Sequence, residues 1–193
     1  MNVDNEIINL LDDNEIIEIS DDDVDVTQVG VLDIKVQFKI LQNPVSLQRH
    51  RFTKKGGRVY NPSSSAQSKF RTAVKSKFTH ATFPLYPKNV PLFLTIIFRM
   101  KRPKKHFVNN SVSGGVLKVS APKVFFIGKP DVDNMAKFVL DSLNGVLYED
   151  DSQVVTLNAT KVYDNEESYL GSTEVFVDKM NEEKMSDMLV GQH

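Results

Sequence analysis

Asp131 and Asp133 stand two residues apart at the head of a helical stretch, and a second acidic pair, Asp150-Asp151, follows where that stretch has turned back. Side chains two apart in extended backbone project to one side of the chain, so Asp131 and Asp133 present their carboxylates together. Three carboxylates held close raise one another's pKa until one takes a proton, unless a cation neutralises them. Such a group suits Mg²⁺, with Mn²⁺ as a substitute, bound against a phosphate ester. The ion bridges carboxylate and phosphate oxygens, polarises phosphorus and lowers the pKa of an attacking water. Lys137, one helical turn after Asp133, has an ammonium within reach of the same phosphate. A plainer reading stays open here: Asp133 as a helix N-cap, Lys137 as its ion-pair partner one turn on, and Asp150-Asp151 as a turn before a strand.

The charge pattern favours the metal site. From Ile34 through Pro130 there is no Asp or Glu, whereas Lys and Arg number 20. The net charge of -1 averages two unlike parts, because residues 1–30 carry ten acids and no Lys or Arg. Without them, 24 basic residues face 15 acids, the balance of a polyanion binder. The chain has no cysteine, which removes disulfides and thiolate zinc sites and accords with a reducing compartment. His50, His80, His106 and His193 have no ligand-like spacing, so any metal falls to carboxylates and is a hard cation. An acidic N-terminus and the lack of a long apolar run exclude a signal peptide and a membrane span and predict a soluble intracellular protein.

The elements that must position these residues read as follows. Lys35–Ile40 alternates, with Val36, Phe38 and Ile40 on one face, as a half-buried strand does. A basic loop or loose hairpin surrounds Gly56-Gly57. Ser64 and Gln67 suggest a capping box, with Ala66, Phe70, Ala73 and Val74 at helical spacing to about Phe78. Leu92–Met100 is nearly continuous apolar, a strand covered on both faces. Val116–Val119 and Val124–Ile127 read as short strands. Asn134–Leu143 is a helix stopped by Asn144-Gly145, and Gln153–Tyr163 and Glu174–Asp178 are strands. Residues 179–193 read as a short helix or a frayed tail. The predicted fold class is α+β, a small mixed sheet packed with two main helices. One domain spans 31–180, with an acidic, disordered tail at 1–30 and a C-terminal tail at 181–193.

Three segments then resemble the RusA-type Holliday junction resolvases: Lys129-Pro130-Asp131-Val132-Asp133-Asn134-Met135-Ala136-Lys137, Asp141-Ser142-Leu143-Asn144-Gly145-Val146, and Tyr148-Glu149-Asp150-Asp151-Ser152-Gln153-Val154-Val155. A weaker likeness covers Arg49-His50-Arg51-Phe52-Thr53 and Gly57-Arg58-Val59-Tyr60-Asn61-Pro62. The resemblance spans about residues 33–178. It implies Asp131, Asp133 and Asp151 as Mg²⁺ ligands, Lys137 as the supporting cation and Asp150 as a neighbour. It also implies a homodimer that nicks a four-way DNA junction symmetrically, leaving 5′-phosphate and 3′-hydroxyl ends. Departures are the acidic tail, the insertion between Met100 and Lys129, and lysine at 129 where many relatives have arginine.

Backbone phosphates of the DNA would be held by Arg49, Arg51, Lys54, Lys55, Arg58, Lys69, Lys75, Arg102, Lys104, Lys105 and Lys129. The run Lys101–Lys105 also reads as a nuclear localisation signal. Other readings are a nuclease for forks, flaps or RNA, and an inactive DNA-binding adaptor recruited through its tail. In that tail Ile16, Ile17 and Ile19 precede an acidic run in the manner of a SUMO-interacting motif, which adds a strand to the partner's sheet edge. The same acids also serve as a shield over the basic body. On that second account, deleting residues 1–30 tightens nonspecific DNA binding at low salt, measured by duplex titration; unchanged affinity contradicts the shielding role.

Overall fold

The computed structural model describes residues 7–8, 35–52, 57–79, 81–112, 115–166 and 169–190. In chain order the elements are β1 (Ile7–Ile8), β2 (Lys35–Ile40), β3 (Arg51–Phe52), β4 (Val59–Tyr60), α1 (Ser64–Lys75), β5 (Leu92–Met100), α2 (Val132–Leu143), β6 (Val154–Tyr163), β7 (Ser172–Lys179) and α3 (Glu182–Val190). Five strands form one mixed sheet in the order β1-β2-β7-β5-β6, and β3 and β4 form a separate hairpin. This is the α+β fold, with a mixed sheet and three helices.

Strand β5, between β7 and β6, builds the apolar layer through its alternation. Leu92, Leu94, Ile96, Phe98 and Met100 are buried, while the residues between them are half-buried against the opposite face. Val36, Phe38 and Ile40 of β2 and Val175 and Val177 of β7 extend the same apolar layer. Helices α1 and α2 cover it with Phe70, Val74, Met135, Phe138, Val139 and Leu143, and Phe70 meets Phe138 edge-on at 5.9 Å. Such rings bury a large apolar area, and each contributes roughly 2 kcal/mol or more by leaving water.

On the opposite face of the sheet, Glu174 accepts a hydrogen bond from Arg99 Nε at 2.7 Å and lies 3.1 Å from Lys39 Nζ, which also holds Glu166. Burial works to raise the Glu174 pKa, but hydrogen bonds from Arg99 and Lys39 outweigh it and hold the carboxyl below the usual range.

Several expectations need correction. Ser63, not Ser64, precedes α1, and no side-chain cap forms; the Ser63 hydroxyl instead accepts from Gln48 N at 2.9 Å. Gln67 is buried and its Oε1 accepts from Asn61 Nδ2, so it ties the chain ahead of α1 to the helix rather than closing a capping box. Val116–Val119 and Val124–Ile127 are not strands: they contribute isolated bridges, Leu117 to Phe107 and Phe125 to Val162, and the described part of that insertion otherwise holds two 3-10 turns, Lys104–His106 and Val108–Asn110. α2 begins at Val132 rather than Asn134, and residues 182–190 form α3. The disordered reading of residues 1–30 and the motif at Ile16, Ile17 and Ile19 lie outside the described residues, except that Ile7–Ile8 pairs in parallel with Lys35–Val36. Lys54 and Lys55 lie outside them too. Among the described residues no helix is long and apolar enough to cross a membrane.

Glu174→Gln tests the outer-face network. A carboxylate whose folded pKa is depressed stabilises the fold above its unfolded pKa, and that contribution is lost as pH falls through the folded value. The variant is therefore less stable at pH 7, by about 2 kcal/mol for lost charge-assisted hydrogen bonds. Thermal unfolding curves of the two proteins should converge below about pH 4, the ordinary glutamate range.

Candidate active site

The strands β5 and β6 run parallel, so no hairpin can join them, and the connection passes through α2. An arm, residues 128–131, leads into α2, and a turn, residues 144–153, leads out of it. Both carry the acids singled out in the sequence.

Asp131 is the N-cap residue of α2 in extended conformation, yet its side chain makes no capping hydrogen bond. The N-cap position thus falls to Asp131 and not to Asp133, and the helix dipole favours an anion at that end. Asp133, in the first helical turn, is exposed, as is Lys137 one turn further. Two residues outside the sequence motif fix the arm. Lys161 of β6 donates from Nζ to the Gly128 carbonyl at 2.7 Å and the Pro130 carbonyl at 2.6 Å, and the same ammonium lies 5.3 Å from the centre of the Phe126 ring. The backbone immediately before Asp131 is thus clamped to the sheet.

The second turn is fixed by Gln153. This buried amide donates to the carbonyls of Pro87 and Val90 and accepts from Glu149 N at 3.0 Å. Asp150 accepts from Ser152 N at 2.9 Å, and bonding to Ser152 holds its carboxyl below the usual range. Asp150 is a turn-former, which leaves Asp151, half-buried, as the acid directed at α2, against which its single 3-10 turn packs.

Asp141 joins this group without having been marked as a site residue by sequence. Asp133, Lys137 and Asp141 fall at i, i+4 and i+8 on α2, one face of the helix. Burial raises the Asp141 pKa above the usual carboxylate range, and the charge of Asp151 adds to it, while Lys137, a hydrogen bond with Gln67, and His50 act the other way. Beneath them Tyr148 donates to the Leu140 carbonyl at 3.1 Å, and burial followed by the charges of Asp151, Asp141 and Asp150 raises its hydroxyl pKa. The spacing of Asp141 from Lys137 was a usable signal, but an acid four residues after a lysine also reads as an ordinary helix pair.

Among the described residues no group of three or more His, Cys, Asp or Glu is gathered to hold a metal ion. The donor set still suits Mg²⁺ chemically, since that ion keeps several waters and needs only one or two carboxylates plus substrate phosphate.

The basic residues divide. Arg49, Arg51, Arg58, Lys69, Lys75, Lys104, Lys105 and Lys129 are exposed. Arg102 is not: it is 1% exposed. Its guanidinium donates to the carbonyls of Asp164, Pro122 and Lys123 at 2.8 Å each and to Asn165 Oδ1, and stands 4.9 Å from the Tyr163 ring. Arg102 is therefore withdrawn from the phosphate-binding set; it organises the insertion after β5. Arg71 of α1 donates from Nε to the Ser142 carbonyl of α2 at 3.1 Å.

A mixed sheet with a βαβ crossover, carboxylates at both ends of the crossover helix and an acid-free basic stretch ahead of it accord with a protein that handles a polyanion. The family comparison makes the assignment specific: the model described as "Endodeoxyribonuclease RusA" matches residues 42–170, and the chain belongs to that family. A curated relative, "Uncharacterized protein YqaN" of Bacillus subtilis (strain 168), is 31% identical over 140 residues, covering 68% of this chain and 89% of the relative.

Lys161→Met tests the clamp. Loss of such a positioning contact is expected to lower Mg²⁺-dependent cleavage about tenfold and raise the metal concentration needed for half-maximal rate, with Lys161→Arg recovering part of both. A variant with an unchanged metal requirement would show that Lys161 does not position Asp131.

Proposed function

We propose that this chain is a Mg²⁺-dependent endodeoxyribonuclease that resolves four-way DNA junctions by paired nicks in recombination, repair or replication. The observation that carries this reading is the α2 face Asp133-Lys137-Asp141, with Asp131 at its head and the Asp151 turn packed against it, lying within the matched residues 42–170. Asp131 and Asp133, with exposed carboxylates, and Asp151, on the return turn, would hold the ion. When bound, Mg²⁺ lowers the pKa of a water and offsets charge at the leaving oxygen. The Lys137 ammonium holds the phosphate oxygens, and the exposed lysines and arginines hold the flanking backbone.

Two strands of like polarity require two sites, which a dimer with a two-fold axis supplies. Support for self-association comes from β6, an outer strand of the sheet, whose Val155 and Leu157 are exposed. Isolated surface apolar residues are common, but apolar side chains on an outer strand favour association.

One observation favours a second reading, the inactive DNA-binding adaptor: the lack of a gathered carboxylate cluster among the described residues. Incubating the purified chain and Mg²⁺ with a mobile four-way junction beside duplex, fork, flap and RNA separates the readings. Symmetric nicking of the junction alone supports the proposal, binding without cleavage supports the adaptor, and preferred cleavage of a control replaces the substrate. Asp131→Asn and Asp133→Asn are each expected to reduce cleavage by about a thousandfold, a few kcal/mol of barrier, with junction binding retained or improved. Persistent cleavage in both would refute the site.

A further inference from the structure

We propose that the basic pocket behind Asp131 receives a single unstacked nucleotide of the DNA branch, next to the phosphate to be cut. This rests on the nuclease reading and deepens it. The pocket encloses about 570 Å³ between the end of β5, the insertion that follows it, the arm before Asp131, and the segment around Tyr169. That volume lies within the range of small-ligand sites and is ample for one nucleotide.

The lining has the chemistry of such a ligand. Lys101, Lys104 and Lys129 are exposed around it, and among the described residues no carboxylate contributes to its wall. Phe126 and Tyr169 add aromatic surface, and Pro130 joins the pocket directly to Asp131. Lysines around an apolar aromatic floor fit a phosphorylated planar group: the cations take the phosphate, and the rings take a base face regardless of its identity.

The walls are held in place. Tyr169 donates to the Gly115 carbonyl at 3.1 Å and meets Phe107 edge-on at 5.0 Å. Phe126 stands 4.9 Å from Tyr163 and lies beneath Lys161. Arg102, fully bonded to backbone carbonyls, keeps the insertion folded around the cavity. The pocket and the Asp131 arm therefore share the Lys161 clamp, so an occupied pocket sits in fixed relation to the acids. Selectivity for a branch follows, because an unpaired or weakly stacked nucleotide enters more readily than one inside a continuous duplex.

The test uses the full chain, a cleavable four-way junction, and the same junction made abasic in turn at each nucleotide flanking the cleaved phosphate. One of the two abasic junctions is expected to be cut about tenfold more slowly by the wild type, the typical worth of one stacked base. Phe126→Ala should show a similar loss on the intact junction and little further loss on the abasic one. Lys101→Glu with Lys104→Glu, both surface changes, should raise KM on the junction more than they lower kcat. Equal cleavage of intact and abasic junctions by the wild type, or an equal loss by Phe126→Ala on both, would overturn the pocket. If the wild type cut no junction, the nuclease reading would fail instead. The pocket would then be judged by binding: weaker affinity for one abasic junction, abolished by Phe126→Ala, supports it, and equal affinities overturn it.

Discussion

Two parallel strands, β5 and β6, cannot be linked by a tight turn, and the sheet places them side by side. Everything chemical in this protein follows from that constraint. The crossover has to climb off the sheet, form α2 against the apolar layer and come back, and its two turning points are where backbone is free to carry acids. Met135, Phe138, Val139 and Leu143 bury one side of α2, which leaves Asp133 and Lys137 on the solvent side. Burial of the helix thereby orients the chemistry.

Each turning point has its own anchor, and both are polar groups bonded to backbone carbonyls. Lys161 grips Gly128 and Pro130, and Gln153 grips Pro87 and Val90. Such anchors are effective because an unsatisfied polar group in a partly buried site is costly, so the geometry that satisfies it is strongly selected. Arg102 applies the same logic to the insertion after β5, where little regular secondary structure forms and a buried cation collects three carbonyls. A charged side chain in this role takes over what a strand ladder would otherwise do.

The electrostatic layout is coherent with this arrangement. Outside the ends of the chain, acids gather along the crossover and in the outer-face network of Glu166 and Glu174, with Asp164 and Asp178 beside them in sequence, while the stretch from Ile34 to Pro130 is basic. The Glu174 network holds Lys39 and Arg99 on the sheet face away from α2. Exposed lysines and arginines beside the arm remain available to phosphate. Asp141, partly buried with its pKa raised, sits between Lys137 and Asp151 and links the two halves of the acidic face.

Much of this was legible in the residues. Alternation identified β2, the apolar run identified β5, and helical spacing with a left-handed stop at Gly145, whose φ is +71°, bounded the end of α2. The three motif segments carried the family. Local patterns of this kind are readable because they depend on neighbours a few residues away. Pairing order, the burial of Arg102, the anchors Lys161 and Gln153, and the packing of the Asp151 turn against α2 were not legible. Each of these depends on which distant segments meet, and a lysine or glutamine looks the same in sequence whether it faces water or a carbonyl. The amino-acid order by itself determined the types of side chain available and the local elements that carry them. Only the tertiary structure decided which of those side chains face one another, because the distances that govern hydrogen bonding and metal binding are set by packing across the sheet.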